Sequence, residues 1–303
     1  MTSQLSLGPV FFNWDPDSWR DFYFRIADEA PVDTAYVGEV VCAKRSPLFL
    51  QHMDAVVDRL QKSGKRVVMS SLALIGNERE AAAMRELAAD DDRCVEINDI
   101  GLVPAASGRH YHLGPFINIY NEATLAYLAG RGARLACLPP ELPAASIVRL
   151  AAGAPLELEV FAFGRLPLAI SARCFHARAH HLHKDGCQFV CNRDPNGLAI
   201  DTLDGEPFLA INGTQTLSYT CCNLIGDLDQ LVEAGIGRFR LSPLAIDMVA
   251  VARVFRDALD ARLGPSEAMA RLAALAGDLV FSNGFFHGME GRRFQPLHQP
   301  EVE

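Results

Sequence analysis

Residues 34–75, TAYVGEVVCAKRSPLFLQHMDAVVDRLQKSGKRVVMSSLALI, decide the fold. Two apolar runs rich in β-branched residues, 34–42 and 66–75, flank a stretch, 47–63, whose apolar residues recur with helical periodicity and stop at Gly64. Strand, helix and strand with short connections make a βαβ unit, in which the two strands lie parallel and the helix covers one face of the sheet.

The same rhythm extends in both directions. Residues 5–14 read as a strand, and Asp15-Pro16-Asp17 then opens a helix, with Asp15 as N-cap and Pro16 at the first helical position. Downstream come a helix at 78–89, strands at 94–103 and 111–120, a helix at 123–129 ending at Gly130, and a strand at 134–138. A helix at 144–151 and a strand at 156–163 follow, then an irregular stretch. The rhythm resumes with a strand at 208–211, a helix at 223–234, a strand at 238–241 and a long helical region at 246–275. About eight or nine strands in repeated βα units predict an α/β fold, a TIM-barrel-like parallel barrel with an inserted cysteine-bearing loop. No glycine-rich phosphate loop follows the first strand, which removes the main argument for a dinucleotide-binding sheet. No Pro/Ser-rich linker divides the chain, so residues 1–303 read as one domain, with a polar, loosely held tail at 291–303.

Composition narrows the function classes. Half of the 303 residues are hydrophobic, enough for a large core, and the formal net charge of -9 argues against nonspecific nucleic-acid binding, which needs a basic face. The start of the sequence has no positive n-region or cleavage site, and apolar runs such as 156–170 are too interrupted to span a bilayer. The chain reads as cytoplasmic, where eight cysteines are free core thiols plus metal ligands rather than a disulfide framework.

The longest break in the rhythm, 171–197, is SARCFHARAHHLHKDGCQFVCNRDPNG. It carries Cys174, Cys187 and Cys191 in a C-x12-C-x3-C spacing that matches no common zinc finger. One helical turn between Cys187 and Cys191 would put both sulfurs on one side. Cys42 ends another apolar run, and in a parallel barrel all strand ends share one face, so Cys42 and the loop cysteines could converge there. Four thiolates suit an iron–sulfur cubane or a tetrahedral zinc ion, and the residue types do not choose between them. Cys94, Cys137, Cys221 and Cys222 read as structural, the last two as thiols near a helix start. His176, His180, His181 and His183 read as residues of an exposed polar loop, to which Arg173, Arg178, Lys184 and Arg193 give positive charge. Glu39, Ser70, Ser71, Asn98, Asp99, Asn118, Glu141, Glu159 and Asn212 fall near strand ends, where a barrel gathers its active-site groups. No zinc-protease helix or nucleophile elbow is present, and no catalytic acid–base pair can be named.

Residues 159–174, EVFAFGRLPLAISARC, resemble the signature of the peptidase U32 family through Glu159, Val160, Phe161, Gly164, Leu166, Ser171 and Cys174. Phe163 stands where the signature has His, and Pro167 where it has its first Cys. These departures are similar to the ubiquinone-biosynthesis branch of the family, the UbiV type, as are LSLGPVFFNW at 5–14, YVGEVVCAKR at 36–45, SSLALI at 70–75 and INGTQTLS at 211–218. The resemblance implies a [4Fe–4S] cluster on Cys42, Cys174, Cys187 and Cys191, Cys42 making good the cysteine lost from the signature. It also implies a heterodimer with a UbiU-like U32 protein, a UbiT-like lipid-binding protein in the same pathway, and a ubiquinone precursor as substrate of an oxygen-independent hydroxylation. The alternatives are a U32-type peptidase and a noncatalytic scaffold with a structural metal site.

Overall fold

The computed structural model describes residues 3–296. Its strands are β1 (Gln4–Leu7), β2 (Thr34–Val37), β3 (Arg66–Ser70), β4 (Cys94–Ile97), β5 (Tyr111–Leu113), β6 (Ala133–Cys137), β7 (Glu157–Ile170), β8 (Leu198–Asp201), β9 (Pro207–Asn212), β10 (Gln215–Asn223), β11 (Arg238–Leu241) and β12 (Phe281–Ser282). The helices are α1 (Pro16–Glu29), α2 (Ser46–Lys62), α3 (Glu78–Ala88), α4 (Glu122–Ala129), α5 (Ala144–Ala151), α6 (Phe175–Ala179), α7 (Leu228–Glu233), α8 (Met248–Leu259) and α9 (Pro265–Ala276). Each of β1 to β6 pairs in parallel with the next, and β11 pairs in parallel with both β7 and β1, so eight parallel strands close a TIM-barrel-like barrel. Asp15 caps α1 as the sequence predicts, accepting from the amides of Asp17 and Ser18. Among the described residues no helix is long and apolar enough to cross a membrane.

Most barrel strands are shorter than their apolar runs. Beyond the last ladder bond the backbone turns to side chains: Glu39 Oε1 accepts from the amides of Val41 and Cys42, Ser71 Oγ from Asn98 N, and Asp99 Oδ1 from Gly101 N. β7 is the opposite case, running on as fourteen residues where the sequence reading stopped at 163. Its first half lies in the barrel wall, and its second half pairs antiparallel with β10, which pairs with β9, and β9 with β8. Gly164 marks the departure, with φ +123° and an absent Cβ that would lie 2.7 Å from Ser242 Cβ. Two further corrections concern helices. Residues 246–275 form α8 and α9, separated at Gly264–Pro265, and α7 starts only at Leu228 because Cys221, Cys222 and Asn223 belong to β10. In the tail, residues 291–296 are held by Asn283, which bonds the backbone of Gln295 in both directions; 297–303 lie outside the described residues.

The barrel lumen is charged. Arg240 of β11 donates to Glu96 Oε1 of β4 at 2.6 Å and to Glu159 Oε2 of β7 at 2.6 Å, all three side chains being fully buried. Since β11 and β4 are not neighbours, the first of these bonds crosses the lumen. Ser70 Oγ and Asn98 Nδ2 donate to Glu96 Oε2, Arg240 lies over the Tyr36 ring at 4.0 Å, and the Tyr36 hydroxyl meets His112 Nδ1 at 3.0 Å. Glu159 is therefore a structural ion-pair partner of Arg240. Arg240→Met is expected to lower stability by about 3–5 kcal/mol by leaving two buried carboxylates unpaired. Replacing Arg240, Glu96 and Glu159 together by apolar residues of similar size should cost far less, as measured by denaturant unfolding.

Burial, with Arg238, Arg240 and Arg66 nearby, pushes the His112 imidazole down to about 3. The native state thus binds this proton more weakly than the unfolded chain, whose His titrates near 6.5. Stability should fall with acidification once pH drops below about 6.5, by about 1.4 kcal/mol per unit from this group. His112→Gln is expected to flatten the profile between pH 6.5 and 4 by about 3 kcal/mol, read from urea midpoints across that range.

Candidate metal centre

Cys42, Cys174, Cys187 and Cys191 line one pocket, together with Lys44, Arg45, His176, Lys184, Phe189, Val190 and Gly213. Cys42 sits between β2 and the single turn that leads into α2, at the barrel face where the parallel strands end. The other three come from the loop between β7 and β8. Cys174 caps α6, its sulfur accepting from Ala177 N at 3.4 Å while its thiol faces Gly213 O at 3.3 Å. Cys187 and Cys191 are brought together by a different device from the helical turn expected of their spacing. Gln188 and Phe189 are left-handed, and a short 3-10 turn, Val190–Arg193, then returns Cys191 to the pocket.

Polar side chains fasten this loop to the barrel. Asn212, at the end of β9, accepts from Asn13 N and Arg45 Nη2, and its amide donates to the carbonyls of Cys191 at 2.8 Å and Asp194 at 2.9 Å. Trp14 Nε1 donates to Pro195 O, Lys184 Nζ to Ala172 O, and Lys44 Nζ to Lys184 O. The Asn13 amide donates to Cys191 Sγ at 3.4 Å.

Arg45 is the main electrostatic feature and was not singled out by sequence reasoning. Its guanidinium is fully buried, donates to Phe11 O and Asn212 Oδ1, and lies 3.9 Å from Glu39 Oε1. Gly213, at φ +71°, makes room for it, because a Cβ there would lie 2.3 Å from Arg45 Nη2. Burial raises the Cys42 thiol above its ordinary value, against the pull of Arg45. Cys174 is raised by burial too, with the Ala177 amide opposing.

The remaining candidates separate. Cys137, Cys221 and Cys222 are buried away from this pocket and Cys94 is half-buried, each held up as a thiol by burial. Cys221 and Cys222 sit within β10 rather than near a helix start. His176 contradicts the exposed-loop reading: it is fully buried, between Ile211 O and Asp194, while His181 and His183 are exposed. Burial pulls the His176 imidazole below its ordinary value, with Asp194 opposing. Ser70, Ser71, Asn98 and Asp99 serve the strand ends and lumen described above, and Glu141 bonds the Tyr120 hydroxyl. Asn118 does not line this pocket, and of the strand-end candidates Asn212 and Glu39 approach it, through Arg45 and through the backbones of Cys191 and Cys42.

A closed parallel barrel whose strand-end face carries a four-cysteine pocket defines the class of protein. Residues 20–295 match the family described as Peptidase family U32, and the chain belongs to that family. Similar solved chains include one of the tryptophan synthase complex from Pyrococcus furiosus, 10% identical, with a TM-score of 0.42 over 88% of this chain and 98% of that one. Another is dihydropteroate synthase from Thermus thermophilus in complex with 6HMPPP, 11% identical, with a TM-score of 0.44 over 86% of this chain and 93% of that one.

Asn212 uses all four of its side-chain hydrogen bonds to join β9, Arg45 and the loop. Asn212→Ala is expected to cost about 2–4 kcal/mol and to speed amide hydrogen exchange selectively over 188–197, measured by mass spectrometry.

Proposed function

We propose that this chain holds a [4Fe–4S] cluster on Cys42, Cys174, Cys187 and Cys191. In this reading it acts as a UbiV-type subunit with a UbiU-like partner in the oxygen-independent hydroxylation of a ubiquinone precursor. The observation that carries the reading is the convergence of these four thiols, one of them 132 residues from the next in sequence, on one pocket. The signature departures at Phe163 and Pro167, with the YVGEVVCAKR segment around Cys42, support the branch.

No three of the four sulfurs lie within 4.8 Å of one another, wider than one zinc ion requires and compatible with a cubane. Four thiolates on one tetrahedral zinc, each about 2.3 Å from it, stand within about 4 Å of one another. A cubane takes one thiolate per iron and so holds its sulfurs farther apart. The one group of three His, Cys, Asp or Glu side chains among the described residues whose ligand atoms all fall within 4.8 Å contains no cysteine. The donor set is soft, with Cys174 and Cys191 buried and Cys42 and Cys187 half-buried, and the Arg45 guanidinium with Lys44 and Lys184 supplies positive charge beside it. Four thiolates on a cubane leave the assembly anionic, so a buried cation stabilises it and favours its reduced form. When bound, the cluster would supply one-electron chemistry. The chain's own part is to fix the four sulfurs, exclude water with Phe189 and Val190, and hold Arg45 against Asn212.

Protein purified without oxygen should contain about four irons and four acid-labile sulfides per chain. Both should be lost with Cys42→Ala and retained with Cys94→Ala, and a UbiU-like protein should co-purify. Zinc without sulfide would overturn the cluster, and iron retained by Cys42→Ala would overturn the ligand set.

A further inference from the structure

His176, His180 and Asp194 stand beside the cysteine pocket with one ligand atom from each within 4.8 Å of the other two. The histidines are spaced i, i+4 across α6, and their rings stack at 5.5 Å between centroids. That spacing puts two imidazoles on one side of a helical turn. His176 Nδ1 lies 3.3 Å from Ile211 O, and a carbonyl oxygen only accepts, so this nitrogen carries the proton. In the neutral ring Nε2 then presents a lone pair, 3.0 Å from Asp194 Oδ2, another acceptor. His180 Nε2 is also buried and has no hydrogen-bond partner, and the neutral His176 Nε2 faces Asp194 with no proton between them.

A proton would relieve one of these contacts. A cation relieves all of them at once, drawing on both imidazoles and the carboxylate. The surroundings are those of an oriented ligand set: the Ile211 carbonyl fixes the tautomer of His176, and Asn212 Nδ2 pins the Asp194 backbone through its carbonyl. Asp194 is about a quarter exposed, which leaves a path for an ion and an open coordination position.

We propose that His176, His180 and Asp194 form a second metal site, distinct from the four thiols, that takes a divalent ion of the zinc type. Two imidazoles and a carboxylate with a position left to solvent suit zinc, and also cobalt as its spectroscopic substitute. His176 lines the cysteine pocket as well, so the ion sits in the wall of that pocket and ties α6 to the segment at Asp194. The inference does not depend on what the thiols hold.

Cobalt(II) titration of anaerobically purified, chelator-dialysed protein tests it. One equivalent per chain should bind with weak visible d–d bands, without the near-ultraviolet charge-transfer bands of cobalt thiolates, and zinc should displace it. His180→Asn and Asp194→Asn should each weaken binding at least about a hundredfold, taking the 10–100-fold loss of a supporting contact as the floor. His183→Asn, in the same loop but exposed, should leave it unchanged. Iron and sulfide content, with thermal unfolding, reports whether each variant keeps its fold and cysteine site. Should the thiols hold no iron, cobalt on them would show its charge-transfer bands and disappear with Cys42→Ala, leaving the histidine site to be read separately. No saturable cobalt binding, binding only through thiolates, or binding unchanged in both His180→Asn and Asp194→Asn would overturn the proposal.

Discussion

Strand β7 has to serve two sheets, and the arrangement around the site follows from that. Its first half closes the barrel, in parallel with β6 on one side and β11 on the other. Past Gly164 it leaves the wall and pairs antiparallel with β10. Strands β1, β2, β3, β5 and β6 end at the barrel rim, and a helix follows each before the next barrel strand. Instead β7 carries the chain outward, so residues 171–197 return to the barrel face between an extended strand and the small sheet of β8, β9 and β10. Ser171 is tied to that sheet by its amide on Thr214 O, and Thr214 in turn bonds Val41 O, next to Cys42. The loop cysteines thereby reach the end of β2. Only glycine fits the departure point, because a Cβ there would run into Ser242.

Two buried arginines organise the interior at different depths. Arg240 occupies the lumen with two carboxylates, a polar filling where many barrels stack aliphatic side chains. Such a trio contributes little net stability compared with an apolar filling, because desolvation offsets most of the attraction, but it is intolerant of losing any member. Arg45 lies nearer the strand ends and has no full ion pair: Glu39 stands 3.9 Å away and is itself raised by burial. Arg45 is held chiefly by neutral acceptors, Phe11 O and Asn212 Oδ1, with Glu39 as a long ion-pair partner at Nη1, the nitrogen that does not bond Asn212. An arginine in that condition is costly unless an anion completes it. The two sites thus differ in kind: in the lumen two carboxylates share one guanidinium, while beside the cysteines three cations, Arg45, Lys44 and Lys184, stand against two carboxylates, Glu39 and Asp185.

The barrel was readable because its local signals agree with one another. Helix α5 and strand β11 fall on their expected residues, and Asp15 and Pro16 start α1 as capping chemistry requires. Signals failed where tertiary context overrode them. The expected strand stops at Phe163, before Gly164 and Pro167, yet a strand leaving one sheet for another tolerates both. The spacing of Cys187 and Cys191 suggested a helical turn, while Gln188 and Phe189 are left-handed, a state with no marker in those residue types. His176 is polar and sits in a polar run, and only the fold shows it enclosed between Ile211 and Asp194. Glu96 was passed over because one acidic residue inside an apolar strand has no sequence mark of its partner, Arg240, 144 residues away. Arg45 was hidden in the same way, its acceptors lying at Phe11 and Asn212.

The proposed metal would bear on the folding of the loop at 171–197 as well as on its chemistry. Of its 27 residues, only Cys174, His176, Ala177, Val190 and Cys191 are buried, too little apolar area to hold a segment of this length by the hydrophobic effect alone. Its ties are instead polar and come from outside, from Asn212, Trp14, Lys44 and Asn13. Each such bond is worth about 1 kcal/mol net, against about 1–2 kcal/mol of backbone entropy for every residue ordered. Thiolate–metal bonds on Cys174, Cys187 and Cys191 would close the difference at three points along the loop, with Cys42 as the anchor on the barrel. On that reading the loop's order and its occupancy are one equilibrium: whatever removes the metal also loosens the strand-end face that a partner or substrate would meet.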